Sequence, residues 1–344
     1  MFDASEIGLS WRGTLDTLST VPQSKCAAVD DHGLMKDYTG KLRSILQIEE
    51  TVVDSTFGKL VWAKRRSESL QSNTFKDVLV KRPSSQRHTK QEAVIQWLCN
   101  KALAAADLSN HCPAVYDLFT YKNSLWFTMA PVYNAPILDA YLKSLPTWRM
   151  KHQINGHTLL KIVLQIAMCC RVLEQIGFNH RDLKPDNILI KSEDIKVHVL
   201  TSQEYIITIQ QSPTAILVDF GFSCLGPGKA PWIQAGDDVL SSFDACPRVG
   251  RDIFMLLVFL LWRKDIQESL TDEHLDFLKS SLRLTTERWK QMQRNSNPVE
   301  WIYTLITERG FECPALTPLT WIQTCAARFP ELVSITNQPA SLTV

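Results

Sequence analysis

The strongest constraint on the fold of this chain comes from two charged motifs in its middle third. Residues 179–190 read NHRDLKPDNILI, and residues 215–221 read AILVDFG. Taken singly, a loop aspartate that caps a helix or an asparagine in a turn would explain any one of these polar residues. Jointly that explanation is improbable, because many charged and amide residues occur close together in the first motif and the second ends an apolar, strand-like run. The motifs therefore predict side chains that act together in one site.

The spacing of apolar residues divides the chain into a strand-rich part and a helix-rich part. Short alternating runs over residues 45–81 predict three antiparallel strands, and residues 114–130 add two more. Residues 88–106 place apolar side chains on one helical stripe, with Thr89 available as a cap. From Pro131 onward the pattern is mainly helical, with a strand-like interruption that ends at the second motif. The predicted fold class is α+β.

The two motifs resemble the catalytic loop and the metal-binding loop of eukaryotic-type protein kinases, and they stand in the order found in that family. The lysine two residues after Asp182, Lys184, resembles the pattern of the Ser/Thr branch of the family. The resemblance extends over residues 45–335. The sequence also resembles the compact, divergent kinases of large DNA viruses. The resemblance implies a bilobal fold, with a small β-rich lobe over residues 45–130 and a larger, mainly α-helical lobe over residues 131–344. Residues 1–44 show no sustained periodicity and predict an N-terminal extension that is either mobile or a loosely packed cap.

The resemblance also implies a role for each charged residue of the motifs, in magnesium-dependent transfer of the γ-phosphoryl group of ATP to a Ser or Thr hydroxyl of a protein substrate. Asp182 would accept or orient the proton of the attacking hydroxyl, and Lys184 would reach the phosphate in transfer. Asn187 would supply an amide oxygen and Asp219 a carboxylate. Both are hard oxygen ligands of the kind that Mg²⁺ prefers.

Lys81 and Glu92 are expected to hold the nucleotide from the first lobe. Residues 78–81, VLVK, resemble the family's strand whose lysine contacts the α and β phosphates, with Leu79 where a smaller residue is usual. A lysine at a strand end is more often a solvated charge, so the assignment depends on a carboxylate partner. Glu92 is the only acidic residue of the helix predicted next. An ion pair between Lys81 and Glu92 is therefore the leading prediction.

The remaining nucleotide contacts are implied by the resemblance alone. Residues 125–133, LWFTMAPVY, resemble the hinge between the lobes, where Met129 would gate the adenine pocket and the backbone around Val132 would bind adenine. Leu189 would form the floor of that pocket. Leu60 and Leu79 would form its ceiling, but apolar residues at such spacings are equally expected in an ordinary core.

The sequence departs from the family pattern in three places. The phosphate-covering loop has only Gly58 where the family has three glycines, which removes sites of close backbone approach. No A-P-E sequence follows the second motif, so the substrate-docking platform is predicted to be altered. Residues 191–214 are longer than the family's tight hairpin and predict an extended one, as a decoration or as a partner surface. Residues 250–261, GRDIFMLLVFLL, resemble the family's buried central helix, whose leading aspartate, here Asp252, anchors the catalytic loop; a simple helix cap is the alternative.

Composition and charge limit the expected partners of the protein and the state of its cysteines. The formal net charge is +1, from 37 basic and 36 acidic residues, so no broad positive field indicates nucleic-acid binding. The nine cysteines are scattered without a C-x-x-C pair and are interpreted as reduced thiols.

The apolar stretch from Ile253 to Trp262 is too short to cross a bilayer and predicts a buried helix, so no membrane contact is expected. The first twenty residues do not resemble a secretory signal, and we expect an intracellular protein, cytoplasmic or alternatively nuclear.

Three functions remain open at this point. An active Ser/Thr kinase is favoured by the motif residues together with Lys81. A pseudokinase that acts as a nucleotide-binding or protein-binding scaffold is favoured by the missing glycines, the absent A-P-E and the bulky Leu79. A third possibility keeps the chemistry and changes the acceptor to a small molecule, although such relatives usually lack the context of Lys184 and Pro185. The sequence predicts no oligomeric state.

Overall fold

The fold was analysed in a computed structural model of the chain. It describes residues 27–37, 39–55, 58–67, 75–83, 89–146, 151–202, 204–226, 233–235, 246–307 and 316–337.

The first part of the structure is a closed barrel of seven strands. In chain order these are β1 Ala27–Val29, β2 Leu34–Lys36, β3 Leu42–Ser55, β4 Gly58–Ser67, β5 Lys76–Pro83, β6 Val115–Tyr121 and β7 Ser124–Met129. Their order around the barrel is β1-β2-β3-β4-β5-β7-β6, and β1 closes it by pairing in parallel with β6. The five strands predicted over residues 45–81 and 114–130 correspond to β3 to β7.

Strands β1 and β2 lie within the N-terminal extension predicted over residues 1–44. Both strands belong to the barrel, and their turn is fixed by Asp30, whose side chain accepts hydrogen bonds from two backbone amides after it. Gly33 follows with a positive φ of 76° and lies so close to the carbonyl of Leu46 that a side chain would not fit. Residues 27–36 are therefore part of the β-rich unit, whereas residues 1–26 lie outside the described residues.

The helices form the larger part of the core. Within the described residues they are α1 Thr89–Ala105, α2 Leu138–Ser144, α3 His152–Gln175, α4 Arg251–Trp262, α5 Lys264–Glu268, α6 Asp272–Leu282, α7 Thr286–Arg294, α8 Pro298–Thr307 and α9 Pro318–Arg328. Every residue of α4 from Arg251 to Leu261 is buried, as predicted for this apolar stretch. Helix α3 is long and apolar enough to cross a membrane, but 78% of its apolar window is buried inside the structure, as in the core helix of a soluble protein.

The remaining strands of the described residues include two long ones. In chain order the remaining strands are β8 Phe178–Asn179, β9 Ile188–Thr201, β10 Tyr205–Leu217, β11 Cys224–Leu225, β12 Ile233–Gln234 and β13 Val333–Asn337. The two long strands, β9 and β10, form the extended hairpin predicted over residues 191–214. Strand β13 pairs antiparallel with β10 and completes a three-stranded sheet that the sequence did not predict.

A disulfide bond corrects the prediction that all cysteines are reduced thiols. Cys224 of β11 is bonded to Cys246, which precedes α4. The two residues are 22 positions apart with no motif around them, so their spacing carries no signal of pairing. Within the described part of the chain, five other cysteines are free and buried, namely Cys99, Cys112, Cys169, Cys170 and Cys325.

Candidate active site

Asp252, in the first turn of α4, accepts hydrogen bonds from the catalytic-loop motif. One carboxylate oxygen of Asp252 accepts from the backbone amide of His180 at 2.8 Å and from the side chain of Asn179 at 3.1 Å. The other oxygen accepts from the backbone amide of Arg181 at 3.0 Å. Asp252 is buried, so these bonds are shielded from water. The predicted anchoring of the loop by Asp252 is confirmed.

Two motif positions adopt a strained backbone. Arg181 has a φ of 65° and Asp219 a φ of 61°, both in the left-handed region that residues with a side chain rarely occupy. Such a conformation costs on the order of 1–3 kcal/mol and persists only where surrounding contacts enforce it. The strain lies directly before Asp182, the predicted proton acceptor, and at Asp219, the predicted metal ligand.

Asp182 lies between β8 and a short 3₁₀ turn over Pro185–Asn187, and the residue is only 4% exposed. Lys184 donates to both of its oxygens, at 3.1 and 2.9 Å. The amide of Asn187 donates to Oδ2 at 2.9 Å and to the backbone oxygen of Asp182 at 2.8 Å. The structure therefore brings the three predicted catalytic residues into one hydrogen-bonded group.

A tyrosine that the sequence analysis missed completes this group. The hydroxyl of Tyr303, in α8, donates to Oδ1 of Asp182 at 2.9 Å. Tyr303 is 121 positions from Asp182 and belongs to no motif, so nothing in the sequence indicated this contact. It becomes visible only when α8 is placed against the catalytic loop.

Lys81 joins the barrel to the second motif. Its ammonium forms an ion pair with Glu92, in the first turn of α1, and a second one with Asp219 at 2.9 Å. Burial by itself disfavours the charged lysine, but the carboxylates of Glu92 and Asp219 outweigh burial and raise the pKa of Lys81 above its ordinary value. Lys81 is therefore a permanent cation, and the predicted pairing with Glu92 is present.

Asn187 and Asp219 were predicted as metal ligands, and their chemistry fits Mg²⁺. They offer an amide oxygen and a carboxylate, and Asp219 is still 32% exposed at its side chain. No cluster of three or more His, Cys, Asp or Glu side chains suited to a metal occurs among the described residues. An ion held by few protein ligands, which keeps some waters and binds phosphate oxygens, matches this donor set better than an ion in a closed protein cage.

The predicted nucleotide contacts lie on several elements of the structure. Leu60 and Leu79 pack with Met129 in one apolar cluster at the barrel, and Leu79 lies directly opposite Met129 in the sheet. Leu189 lies in β9 and forms an isolated bridge with Ile137. Val132 lines a cavity of about 330 Å³ on the side of Lys191 and Asp194. Gly58 opens β4 and pairs with Ser55.

Comparison with known proteins agrees with this geometry. The chain belongs to the protein tyrosine and serine/threonine kinase family, whose model matches residues 46–222, just over half of its length. It is also similar to the poxvirus serine/threonine protein kinases, whose family model matches residues 142–313. Among curated proteins it resembles Sporulation protein kinase mde3 of Schizosaccharomyces pombe, with 27% identity over 149 residues. That alignment covers 42% of this chain and 24% of the relative, so the chain spans about a quarter of that protein.

Proposed function

We propose that this protein is an active Ser/Thr protein kinase with a bilobal fold, which transfers the γ-phosphoryl group of ATP to a protein hydroxyl with the help of Mg²⁺. One observation carries the proposal: Lys81 of the barrel contacts both Glu92 and Asp219. The Lys81 cation lies between Glu92 of α1 and Asp219 of the second motif. It can therefore bind phosphates beside the Asp219 carboxylate, which would hold the metal. The choice of Ser or Thr is supported by Lys184 and by the similarity to poxvirus serine/threonine kinases.

The residues divide the work of positioning and charge neutralisation. Lys81 and Lys184 supply positive charge for phosphate oxygens, and Asp182 receives the proton of the acceptor hydroxyl. Asn187 and Asp219 would hold Mg²⁺, which supplies charge neutralisation on the phosphates when bound. Asp252 keeps these groups in place through its hydrogen bonds to the catalytic loop, without touching the substrate.

The scaffold alternative rests on the bulky Leu79 and on departures in two segments, the phosphate-covering loop and the docking segment. Neither segment supplies a reacting group, since the loop contributes backbone donors and the docking segment contributes substrate contacts. By contrast, Lys81, Glu92, Asp182 and Asn187 make the contacts that transfer would use. The geometry therefore supports the active enzyme better than the scaffold.

The test is phosphate transfer from radiolabelled ATP, with Mg²⁺, to a generic basic protein substrate. We expect Asp182→Asn and Lys81→Met each to lower the rate by about 100-fold or more, because one removes the proton acceptor and the other the phosphate-binding cation. Asp276→Asn is the control. It makes the same chemical change as Asp182→Asn, but at an exposed position of α6 and outside both motifs.

A folded wild-type protein that transfers no label to several substrates would contradict the proposal. A titration with ATP in the presence and absence of Mg²⁺ then separates the alternatives. Metal-independent binding, or no binding, would favour the scaffold. Metal-dependent binding with transfer only to small alcohols would favour the small-molecule acceptor.

A further inference from the structure

Tyr303 reaches the proposed active site from a helix that has no motif of its own. Its hydroxyl lies 2.9 Å from Oδ1 of Asp182 and 3.4 Å from the backbone oxygen of Arg181. The helix that carries it, α8, packs against α4 through buried residues on either side of Tyr303. These are Trp301, Ile302 and Leu305. The phenol is therefore held by the core and not by a loose surface segment.

The donors around Asp182 leave no room for an additional hydroxyl. Each carboxylate oxygen accepts about two hydrogen bonds. Oδ1 has Tyr303 and Lys184, and Oδ2 has Asn187 and Lys184. An acceptor hydroxyl can bind Asp182 only when one of these donors leaves.

Lys184 is the donor that can leave. It has a long, flexible side chain that is 23% exposed, and it donates to both oxygens at once. Turning it toward a phosphate would open one position on each oxygen. Tyr303 and Asn187 would remain, one on Oδ1 and one on Oδ2.

We propose that Tyr303 is a positioning residue for phosphoryl transfer, which fixes Oδ1 of Asp182 while Asn187 fixes Oδ2, so that the carboxylate faces the acceptor hydroxyl after Lys184 turns away. The inference rests on the proposed kinase function and adds a residue to it. Burial raises the pKa of the Tyr303 phenol, and the carboxylate of Asp182 raises it further, so the phenol keeps its proton and donates throughout.

The test compares wild type with Tyr303→Phe, which removes the hydroxyl and keeps the ring. We expect kcat to fall about 10- to 100-fold, the range for loss of a hydrogen bond to a charged group. The Kd for ATP with Mg²⁺ and the KM for the protein substrate should change less than about twofold, since Tyr303 contacts neither in this account. A change that merely loosened the fold would move these binding constants and lower the melting temperature.

Two controls separate the hydroxyl from packing. Tyr141→Phe removes a phenol from a half-buried tyrosine of α2, and we expect kcat to be unchanged. Incorporation of 3-fluorotyrosine at position 303 disturbs packing slightly but keeps the hydroxyl, so it should retain most of kcat even if the Tyr303→Phe protein is poorly folded.

Three results would overturn the inference. A kcat for Tyr303→Phe equal to that of wild type would show that the hydroxyl has no part in transfer. A higher kcat would show that the phenol obstructs the acceptor hydroxyl. Equal losses in Tyr303→Phe and the 3-fluorotyrosine protein would assign the effect to packing. No transfer by wild type would instead remove the proposed function, and this inference with it.

Discussion

At Asp252, the two oxygens of a single carboxylate hold three donors of the catalytic loop. The backbone amides of His180 and Arg181 bind different oxygens, so the orientation of the loop depends on both. The strained φ of Arg181 makes this dependence stronger, because the loop would relax if either bond were lost. A residue without contact to substrate thereby sets the position of Asp182.

We expect Asp252→Asn to weaken both stability and transfer. An amide has one acceptor oxygen, so at least one of the two backbone amides would be left unsatisfied in a buried place, at a cost of about 1–3 kcal/mol in the free energy of unfolding. Transfer should fall by about tenfold or more, since Asp182 would lose its fixed position. Chemical denaturation and the phosphate-transfer assay measure the two effects.

The exposed Asp276 provides the matched control, because Asp276→Asn makes the same chemical change without burial. Equal free energies of unfolding for Asp252→Asn and wild type would show that the loop does not depend on this carboxylate.

Residues with a signal in the sequence were predictable, inside or outside the two motifs, and a residue without one was not. The partner of Lys81 could be chosen because Glu92 is the only acid in the predicted helix, and the ion pair is present. Asp252 could be chosen because residues 250–261 resemble the family's buried central helix, whose leading aspartate anchors the catalytic loop. Tyr303 offered no such signal, since its contact with Asp182 is created by the packing of α8 against α4.

At the scale of elements, α3 shows how a glycine lets two elements approach. Gly156 lies in α3 against His274 of α6, and a Cβ at position 156 would overlap the imidazole ring. That ring has little freedom to move, because it stacks on Phe329 with centroids 5.1 Å apart and contacts the hydroxyl of Thr271 at 2.5 Å. The close approach of α3 and α6 therefore requires a residue without a side chain.

We expect Gly156→Ala to destabilise the protein even though alanine favours helix. Helix propensity would add up to about 1 kcal/mol of stability. Overpacking against His274 should cost about 1–3 kcal/mol, which we expect to outweigh that gain. Thermal and chemical denaturation measure the net change.

A double variant tests the cause. His274→Ala opens space beside position 156, so the pair Gly156→Ala and His274→Ala should be less destabilised than the sum of the single variants. Additive effects would mean that the imidazole is not what Gly156 accommodates.

Long elements with strong periodicity could be predicted, but very short strands could not. The strands β3 to β7 and the helix α1 were visible as alternation or as a helical stripe. Strands β1 and β2 have three residues each, too few to show alternation, and they exist because the barrel pairs with them. Strand β13 forms because β10 of the hairpin offers it an edge, which local sequence does not reveal.

At the scale of the whole molecule, buried titratable groups set how stability depends on pH. Burial lowers the pKa of His111 and of His274 to about 4, and it lowers the pKa of His198 as well. Burial acts on Glu174 in the opposite sense and raises the pKa of its carboxyl to about 7. The sequence shows where these residues are, but only the packed structure shows which are buried.

The sign of the effect follows from proton uptake. Below the ordinary histidine pKa of about 6.5, the unfolded chain binds protons that the buried histidines of the folded protein do not, so the free energy of unfolding falls as pH falls toward 4. Glu174 opposes this, because the folded protein protonates it first as pH falls from about 7 toward 4.5. With three histidines against one glutamate, we expect a net loss of stability between pH 6.5 and 4.5, measured by urea denaturation at each pH.

Two variants with opposite expected effects test this account. His111→Gln keeps a donor for the carbonyl of Ala215, which the ring contacts at 2.7 Å, but it does not titrate. It should flatten the fall by up to about 1.4 kcal/mol per pH unit. Glu174→Gln keeps an acceptor for the backbone amide of Gly250 and removes the opposing group, so it should steepen the fall. If neither variant changed the slope, the pH dependence would have to arise from other groups, because burial of His111 and Glu174 requires the two slopes to move apart.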